Sequence, residues 1–367
     1  MNSRIQPIFL ATFTLFLISS AAFAQTATPT PREEVGVIKV DSRLIVVPVS
    51  VSDPNGEPVA GLTAANFRIS EEGQPQTIDS VGNAESVPLE IALLIDVSGS
   101  VNPLFEFEKK AAAQFLETVM KPEDRATIFL IGDKPSAVLK SENSKLAAER
   151  LRAIVPSGKF TAFYDTTAAA ARYLRQNAPV RSLRVIVALT DGEDNWSDLV
   201  REAETAPYRD VDINSLTPEK RKQLAAAKEN AHRAAQAKIS RELQDADTVF
   251  YVINPAGRSI KLNKISTRAQ AGMEKFANET GGTFFLPKFA PTTTKDALQN
   301  SSNVAKNEAT LDRIFKQLAS DLRAQYLIQY YSETDFPENK FVKLDVGLQQ
   351  VPPNTRVRAR QGYYVKN

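Results

Sequence analysis

Residues 91–95 are five apolar residues in a row, Ile-Ala-Leu-Leu-Ile, and they run straight into Asp96-Val97-Ser98-Gly99-Ser100. An unbroken apolar run without polar alternation suits a strand buried on both faces, the condition of strands in a parallel sheet covered by helices. The pattern recurs at 126–131, 183–190 and 248–253, with shorter runs at 137–139 and 283–286. Helical periodicity falls between or after these runs, at 103–120, 144–154, 165–176, 269–279 and 311–322. Strands alternating with helices over residues 89–322 predict an α/β fold with a doubly wound, mainly parallel sheet.

The two ends of the chain follow a different period. Ile45, Val47, Val49 and Val51 alternate with other residues, and Asp53-Pro54-Asn55-Gly56 carries Pro and Gly where a type I turn wants them. Residues 326–331 and 341–346 alternate again, and 357–365 reads as a closing strand with a Gly break. Each half is short for a sandwich by itself. The expectation is one β-sandwich built from head and tail, with the α/β unit inserted between them, and two separate small β appendages are the alternative. The expected organisation is a signal at 1–24, a Thr/Pro-rich linker at 25–36, the first part of the sandwich at 37–86, the α/β domain at 87–324 and the closing strands at 325–367.

Residues 197–247 are highly charged and include an Ala-rich helical stretch at 218–243. This is too long for an ordinary strand-to-helix connection. The segment reads either as a solvated helical insertion or as a lid over the carboxyl edge of the sheet. His232 falls within it and is expected to be a solvated helix histidine.

At 367 residues the chain is long enough to bury a sizeable core, and its net charge of +2 implies no strong attraction to nucleic acid. With no Cys and one His, a Cys nucleophile, disulfides and Cys/His zinc sites are excluded. Arg4, the mostly apolar stretch 8–18 and Ala22-Phe23-Ala24 together predict a cleaved Sec-type signal peptide, and no later segment is apolar enough to cross a membrane. The product is expected to be periplasmic, extracellular or envelope-associated, without a transmembrane segment in the mature chain.

Asp96 and Asp191 each fall just beyond a buried strand, so a parallel sheet brings both to its carboxyl edge, where open α/β sheets bind ligands. Ser98 and Ser100 follow Asp96, and Thr161 lies in the loop Gly158-Lys159-Phe160-Thr161-Ala162. These are hard oxygen donors. They suit Mg²⁺, with Mn²⁺ or Ca²⁺ as alternatives, and two carboxylates roughly neutralise a divalent ion. A coordination position left open would accept a carboxylate from a protein partner. Glu193, Asp194 and Asn195 are candidates to support such a site from behind, or are a solvated acidic turn. Phe160 and Phe163 flank Thr161 as expected loop anchors. Trp196 is expected to pack the segment 197–247 against the sheet, with an exposed rim contact as the other reading.

This pattern resembles the metal-ion-dependent adhesion site (MIDAS) of von Willebrand factor type A domains. That motif is D-x-S-x-S, then a Thr in a later loop, then an Asp after a later strand. Here it corresponds to Asp96-Val97-Ser98-Gly99-Ser100, Thr161 and Asp191 in L-T-D-G-E-D-N. The resemblance implies that Ser98, Ser100 and Thr161 ligate the metal, with Asp96 and Asp191 ligating directly or through water. The flanking stretches D-P-N-G-x-P-V-x-G-L, L-R-A-Q-Y and R-A-R-Q-G-Y-Y are similar to those of secreted von Willebrand factor A-related proteins of acidobacteria. The long segment after Asp191 departs from the family pattern.

The expected function is an exported, non-enzymatic binding or adhesion module that captures an acidic group of a protein partner through the metal. Two other classes compete with it. One is a Mg²⁺-dependent phosphatase or phosphotransferase with Asp96 as nucleophile, although the second acid such a site wants at position 98 is Ser and no Gly-rich phosphate loop with Lys follows a strand. The other is a structural envelope protein whose metal only stabilises the fold.

Overall fold

A computed structural model of the chain describes residues 43–98, 105–158, 160–209, 216–255, 257, 263–292 and 294–366. The signal-like stretch 1–24, the lead-in 25–36 and Ser100 lie outside the described residues.

The head supplies β1 (Arg43–Ser52), β2 (Phe67–Glu71), β3 (Gln74–Gln76) and β4 (Ile78–Asn83). The α/β unit follows with β5 (Leu89–Asp96), α1 (Phe105–Val119), β6 (Arg125–Ile131), β7 (Ser136–Glu142), α2 (Ser144–Arg152), α3 (Phe163–Asn177) and β8 (Leu183–Leu189). It continues through α4 (Asp198–Thr205), α5 (Pro218–Asp245), β9 (Thr248–Ile253), α6 (Lys264–Thr280), β10 (Phe284–Phe285) and α7 (Ala297–Arg323). The tail adds β11 (Tyr326–Ser332), β12 (Phe341–Leu348), β13 (Arg356–Ala359) and β14 (Gly362–Tyr364).

The central sheet has the order β10-β9-β8-β5-β6-β7, parallel throughout except for β7, which is antiparallel to β6. The apolar run at 91–95 behaves as its composition demands. Ile91, Leu93 and Ile95 join the core with α1, α2 and α7, while Ala92 and Leu94 join the opposite core with α3, α5 and α6. From β5 the chain moves outward to β6, and from β8 it moves the other way to β9. The topological switch point therefore lies between β5 and β8, adjacent strands in which Ile95 pairs with Leu189.

Ala235, Ile239 and Leu243 of α5 belong to that second core. The carboxyl half of α5 is thus the crossover helix between β8 and β9. What exceeds an ordinary connection is α4, the stretch 206–217 and the first turns of α5. His232 differs from its sequence expectation: it is 1% exposed, with Nε2 2.6 Å from Glu204 Oε1 and its ring edge-on to Tyr164. The packing of α4 over α5 covers a position that composition marked as solvated.

Head and tail form one β-sandwich. One sheet has the order β13-β1-β11-β4 and the other β14-β12-β2-β3, so each mixes head and tail strands. Ile45, Val47, Val49 and Val51 point into a shared core with Phe67, Ile69, Ile328, Tyr330, Val342, Leu344 and Tyr363. The expected last strand is two strands, because Gln361 N turns aside to donate to Glu279 O at 2.9 Å before Gly362 resumes pairing.

The sandwich is stitched to the amino-terminal edge of the parallel sheet. Asp247, just before β9, accepts from Arg360 and Lys366 at 2.8 Å each. Gln325 Nε2 reaches Ser50 Oγ at 3.1 Å and Tyr251 OH at 2.9 Å. Arg358 pairs with Asp321 at 2.8 Å. These contacts assign work to the tail stretches around 323–326 and 358–364. They also put the sandwich at the end of the sheet opposite to Asp96 and Asp191. No helix among the described residues is long and apolar enough to cross a membrane.

Candidate functional site

Asp96 closes β5. Its Oδ1 accepts from the backbone N–H of Ser98 at 3.0 Å, an Asx-type turn that bends the chain away from the strand. Its Oδ2 accepts from Thr190 Oγ1 at 2.6 Å. Thr190 follows β8 directly, is fully buried, and takes a hydrogen bond from Gly192 N at 3.0 Å. One hydroxyl thus ties the end of β5 to the turn that carries Asp191. That turn is completed by Glu193 N, which donates to Asp191 Oδ1 at 3.0 Å. Gly192 has φ of 73°, a left-handed backbone that favours glycine, and a Cβ there would stand 2.6 Å from Met273 Sδ and force that side chain to move.

Thr161 arrives from the loop before α3 and is 5% exposed. Its backbone is clamped by the Asp191 turn. Thr161 N donates to Asn195 Oδ1 at 2.8 Å, and both Asn195 N and Trp196 N donate to Thr161 O at 3.1 Å. Asp194 accepts from Tyr164 N at 2.8 Å, Ser197 N at 3.1 Å and Ser197 Oγ at 2.5 Å, which joins the same turn to the start of α3. Glu193 Oε1 accepts from Ser266 Oγ at 2.5 Å, in the first turn of α6. Glu193, Asp194 and Asn195 therefore fasten three loops to one another.

The electrostatics are those of crowded carboxylates. Burial, then repulsion from Asp96 and Asp191, pushes Glu108 up to about 8. Glu108 lies in the first turn of α1 and is 7% exposed. Burial also raises Asp191, to about 6, against the hydrogen bond from Glu193 N and with help from Asp96. Asp96 is raised by burial despite its bonds from Ser98 and Thr190. A divalent cation among these oxygens would remove the repulsion, and hard carboxylate and hydroxyl donors suit it. Among the described residues no group of three or more His, Cys, Asp and Glu is placed to hold a metal, so any site here rests on a mixed carboxylate and hydroxyl set.

Sequence reasoning missed Thr190 and Glu108. Thr190 was visible as a hydroxyl adjoining Asp191. Glu108 had no such signal, since Phe-Glu-Phe-Glu-Lys-Lys reads as an ordinary solvated helix start. The aromatic expectations also need correction. Phe163 is an anchor at 1% exposure, but Phe160 is 49% exposed. Trp196, expected to pack the segment 197–247 against the sheet, is half-buried and touches that segment through Arg201. It stacks on Phe160 with ring centroids 3.9 Å apart and planes 7° from parallel, and the Arg201 guanidinium lies 5.3 Å from its ring centroid.

Residues 91–193 match the family model described as the von Willebrand factor type A domain. No curated protein matches the sequence. Similar solved structures include an aerotolerance-related membrane protein from Bacteroides fragilis, 16% identical over 61% of this chain and 99% of that one, with a TM-score of 0.35. A von Willebrand factor type A protein from Catenulispora acidiphila is 14% identical over 73% of this chain and 52% of that one, TM-score 0.39. The PilB minor pilin from Streptococcus sanguinis is 15% identical over 66% of this chain and 63% of that one, TM-score 0.42.

Proposed function

The chain carries a von Willebrand factor type A domain over residues 91–193, and from that premise we propose that it is an exported, non-enzymatic binding module. It captures a carboxylate of a protein partner through a divalent metal. The observation that supports this reading is the bonding that joins Asp96 through Thr190 to the Asp191 turn and the Thr161 backbone to Asn195 of that same turn, with buried Glu108 raised by burial and by both aspartates.

Asp96, Ser98, Ser100, Thr161 and Asp191 would hold the ion, Mg²⁺ for preference and otherwise Mn²⁺ or Ca²⁺. Bound there, the metal supplies a Lewis-acidic position for an incoming carboxylate. Thr190 keeps Asp96 in one orientation, and Asn195 with the Thr161 backbone keeps the hydroxyl loop in register with the Asp191 turn. Preorganisation of this kind lowers the ordering cost of binding. Both Asp96 oxygens are already engaged by Ser98 N and Thr190 Oγ1, which suits a fixed ligand better than an attacking nucleophile. Export is supported by the amino-terminal pattern of residues 1–24.

Isothermal titration with Mg²⁺ and Mn²⁺ tests the site. The wild-type chain is expected to bind one ion, and the double variant Asp96→Ala/Ser98→Ala to bind none. Equal binding by both removes the proposal.

A further inference from the structure

Phe160 and Trp196 form the exposed aromatic feature nearest in sequence and bonding to the proposed metal site. Phe160 precedes Thr161 directly, and Trp196 N donates to Thr161 O at 3.1 Å. The ring stack is therefore built on the same backbone that presents the Thr161 hydroxyl. Trp196 covers one face of the Phe160 ring, and Phe160 nevertheless remains 49% exposed. Trp196 has its own cation from Arg201, which is in turn ion-paired with Asp198. The stack is thus charge-satisfied, fixed in orientation, and open on the Phe160 side. A loop anchor would bury its ring, as Phe163 does three residues later.

We propose that the Phe160–Trp196 stack is a specificity platform for the segment that the metal site captures. It selects an extended partner segment that carries an aromatic side chain one or two residues from the metal-bound carboxylate. The inference rests on the metal-dependent reading given above. An extended chain advances about 3.3–3.6 Å per residue, so side chains one or two positions from the carboxylate fall within a few ångströms to about 7 Å of it. That is the range reachable from a ring adjoining a ligand residue. A neutral aromatic ring continues the existing stack and removes the open Phe160 face from water. A basic side chain fits less well, because the stack already has a cation at Arg201. Tryptophan and its aromatic neighbours are the residues on which interface energy concentrates.

Fluorescently labelled peptides test this on the full-length chain without its signal. Three probes share the form Gly-Gly-Asp-Gly-Xaa-Gly, where Xaa is Phe, Arg or Gly, and affinity is read by anisotropy with Mg²⁺ or with EDTA. The stacking gain predicts that the Phe probe binds wild type about three- to tenfold more tightly than the Gly probe. It also predicts that the Phe probe quenches or shifts the fluorescence of Trp196, the single Trp of the chain. In Phe160→Ala the preference should fall to about onefold by the same reasoning, while Mg²⁺-dependent binding of the Gly probe persists. Thermal melting of Phe160→Ala should match wild type, since the ring is half exposed.

A preference for Phe that survives in Phe160→Ala overturns the platform, as does equal binding of the Phe and Gly probes or a preference for Arg. Asp191→Ala and EDTA report on the other proposal separately. Binding of any probe that neither treatment reduces overturns the metal reading, and Mg²⁺-independent or absent binding of all three overturns both.

Discussion

Thr190 Oγ1 donates to Asp96 Oδ2 at 2.6 Å while accepting from Gly192 N at 3.0 Å, so one buried hydroxyl couples the two acidic turns of the candidate site. Valine is close to threonine in shape but lacks that hydroxyl. Thr190→Val should leave Asp96 held only through Oδ1 and weaken Mg²⁺ affinity by about 10–100-fold, the usual effect of losing an outer-shell partner of a ligand. The unpaired Gly192 N–H should also lower stability by about 1–3 kcal/mol. Titration calorimetry and urea unfolding read the two effects independently.

Glu108 provides a pH prediction for the metal-free chain. Burial and the nearby Asp96 and Asp191 raise its folded-state value from 4.5 to about 8. A raised carboxylate binds its proton more tightly when folded. Stability is therefore greatest at low pH and falls as pH climbs from the unfolded value through the folded one. In EDTA, the melting temperature should decline between roughly pH 5 and pH 8, with Asp191 contributing around its value of about 6. Glu108→Gln should flatten the upper part of that slope and melt higher than wild type at pH 8.

How much of this was legible in the sequence depends on what faces inward. Where an element buries apolar side chains, its pattern gave it away: the run at 91–95 and that at 183–189 became β5 and β8, and the alternation from Ile45 to Val51 became an inner face of the sandwich. Where the inward face is polar, the pattern vanished. Periodicity marked a helix only from Leu311, but α7 begins at Ala297. Its first half turns Asn303 and Asn307 inward, where Asn307 bonds both N and O of Ala290, and Asn303 Nδ2 donates to Pro291 O at 2.7 Å. Side-chain amides there replace the apolar stripe that defines an amphipathic helix. The site divides in the same way. Asp96, Ser98, Ser100, Thr161 and Asp191 stand as candidates from residue type and order, whereas the burial of Glu108 depends on which face of α1 turns inward.

Asn307, in the first half of α7, makes a prediction from that observation. Asn307 Oδ1 accepts from Ala290 N at 2.8 Å and Nδ2 donates to Ala290 O at 2.9 Å, so one amide satisfies both backbone groups of a residue before the helix. Asn307→Leu restores helical amphipathicity and leaves those groups unpaired. Destabilisation of about 1–3 kcal/mol is expected, with faster amide exchange at Ala290. A gain in stability would mean that the apolar stripe outweighs the amide pair.

Gly282 measures how closely α6 and β9 approach. A Cβ on Gly282 would stand 2.0 Å from the backbone O of Phe250, a contact no rotamer relieves because the Cβ position is set by the main chain. Gly282→Ala should cost about 1–3 kcal/mol or more, the range of overpacking, and lower the melting temperature with or without Mg²⁺. Retention of wild-type stability would show that β9 shifts readily at this point.

Glu71 tests whether the sandwich and the edge that carries Asp96 and Asp191 are energetically separate. It is 1% exposed and joins the two sheets by accepting from Tyr330 OH and Tyr363 OH at 2.7 Å each and from Ser332 Oγ at 2.8 Å. Burial and the adjacent carboxylate both push the two phenols upward, so they remain protonated donors. Glu71→Gln keeps the shape but replaces the charged acceptor of two phenols by a neutral amide and forces the Ser332 hydroxyl to turn from donor to acceptor, which should cost about 1–3 kcal/mol. The stitches lie at the amino edge of the central sheet and Asp96 and Asp191 at the other, so the loss should not reach the proposed metal site. Distant sites without shared partners are additive to within about 0.3–0.5 kcal/mol. In Glu71→Gln combined with Thr190→Val, the Mg²⁺ affinity should equal that of Thr190→Val alone. Coupling well beyond the additive range would mean that the sandwich transmits its packing state to the metal edge.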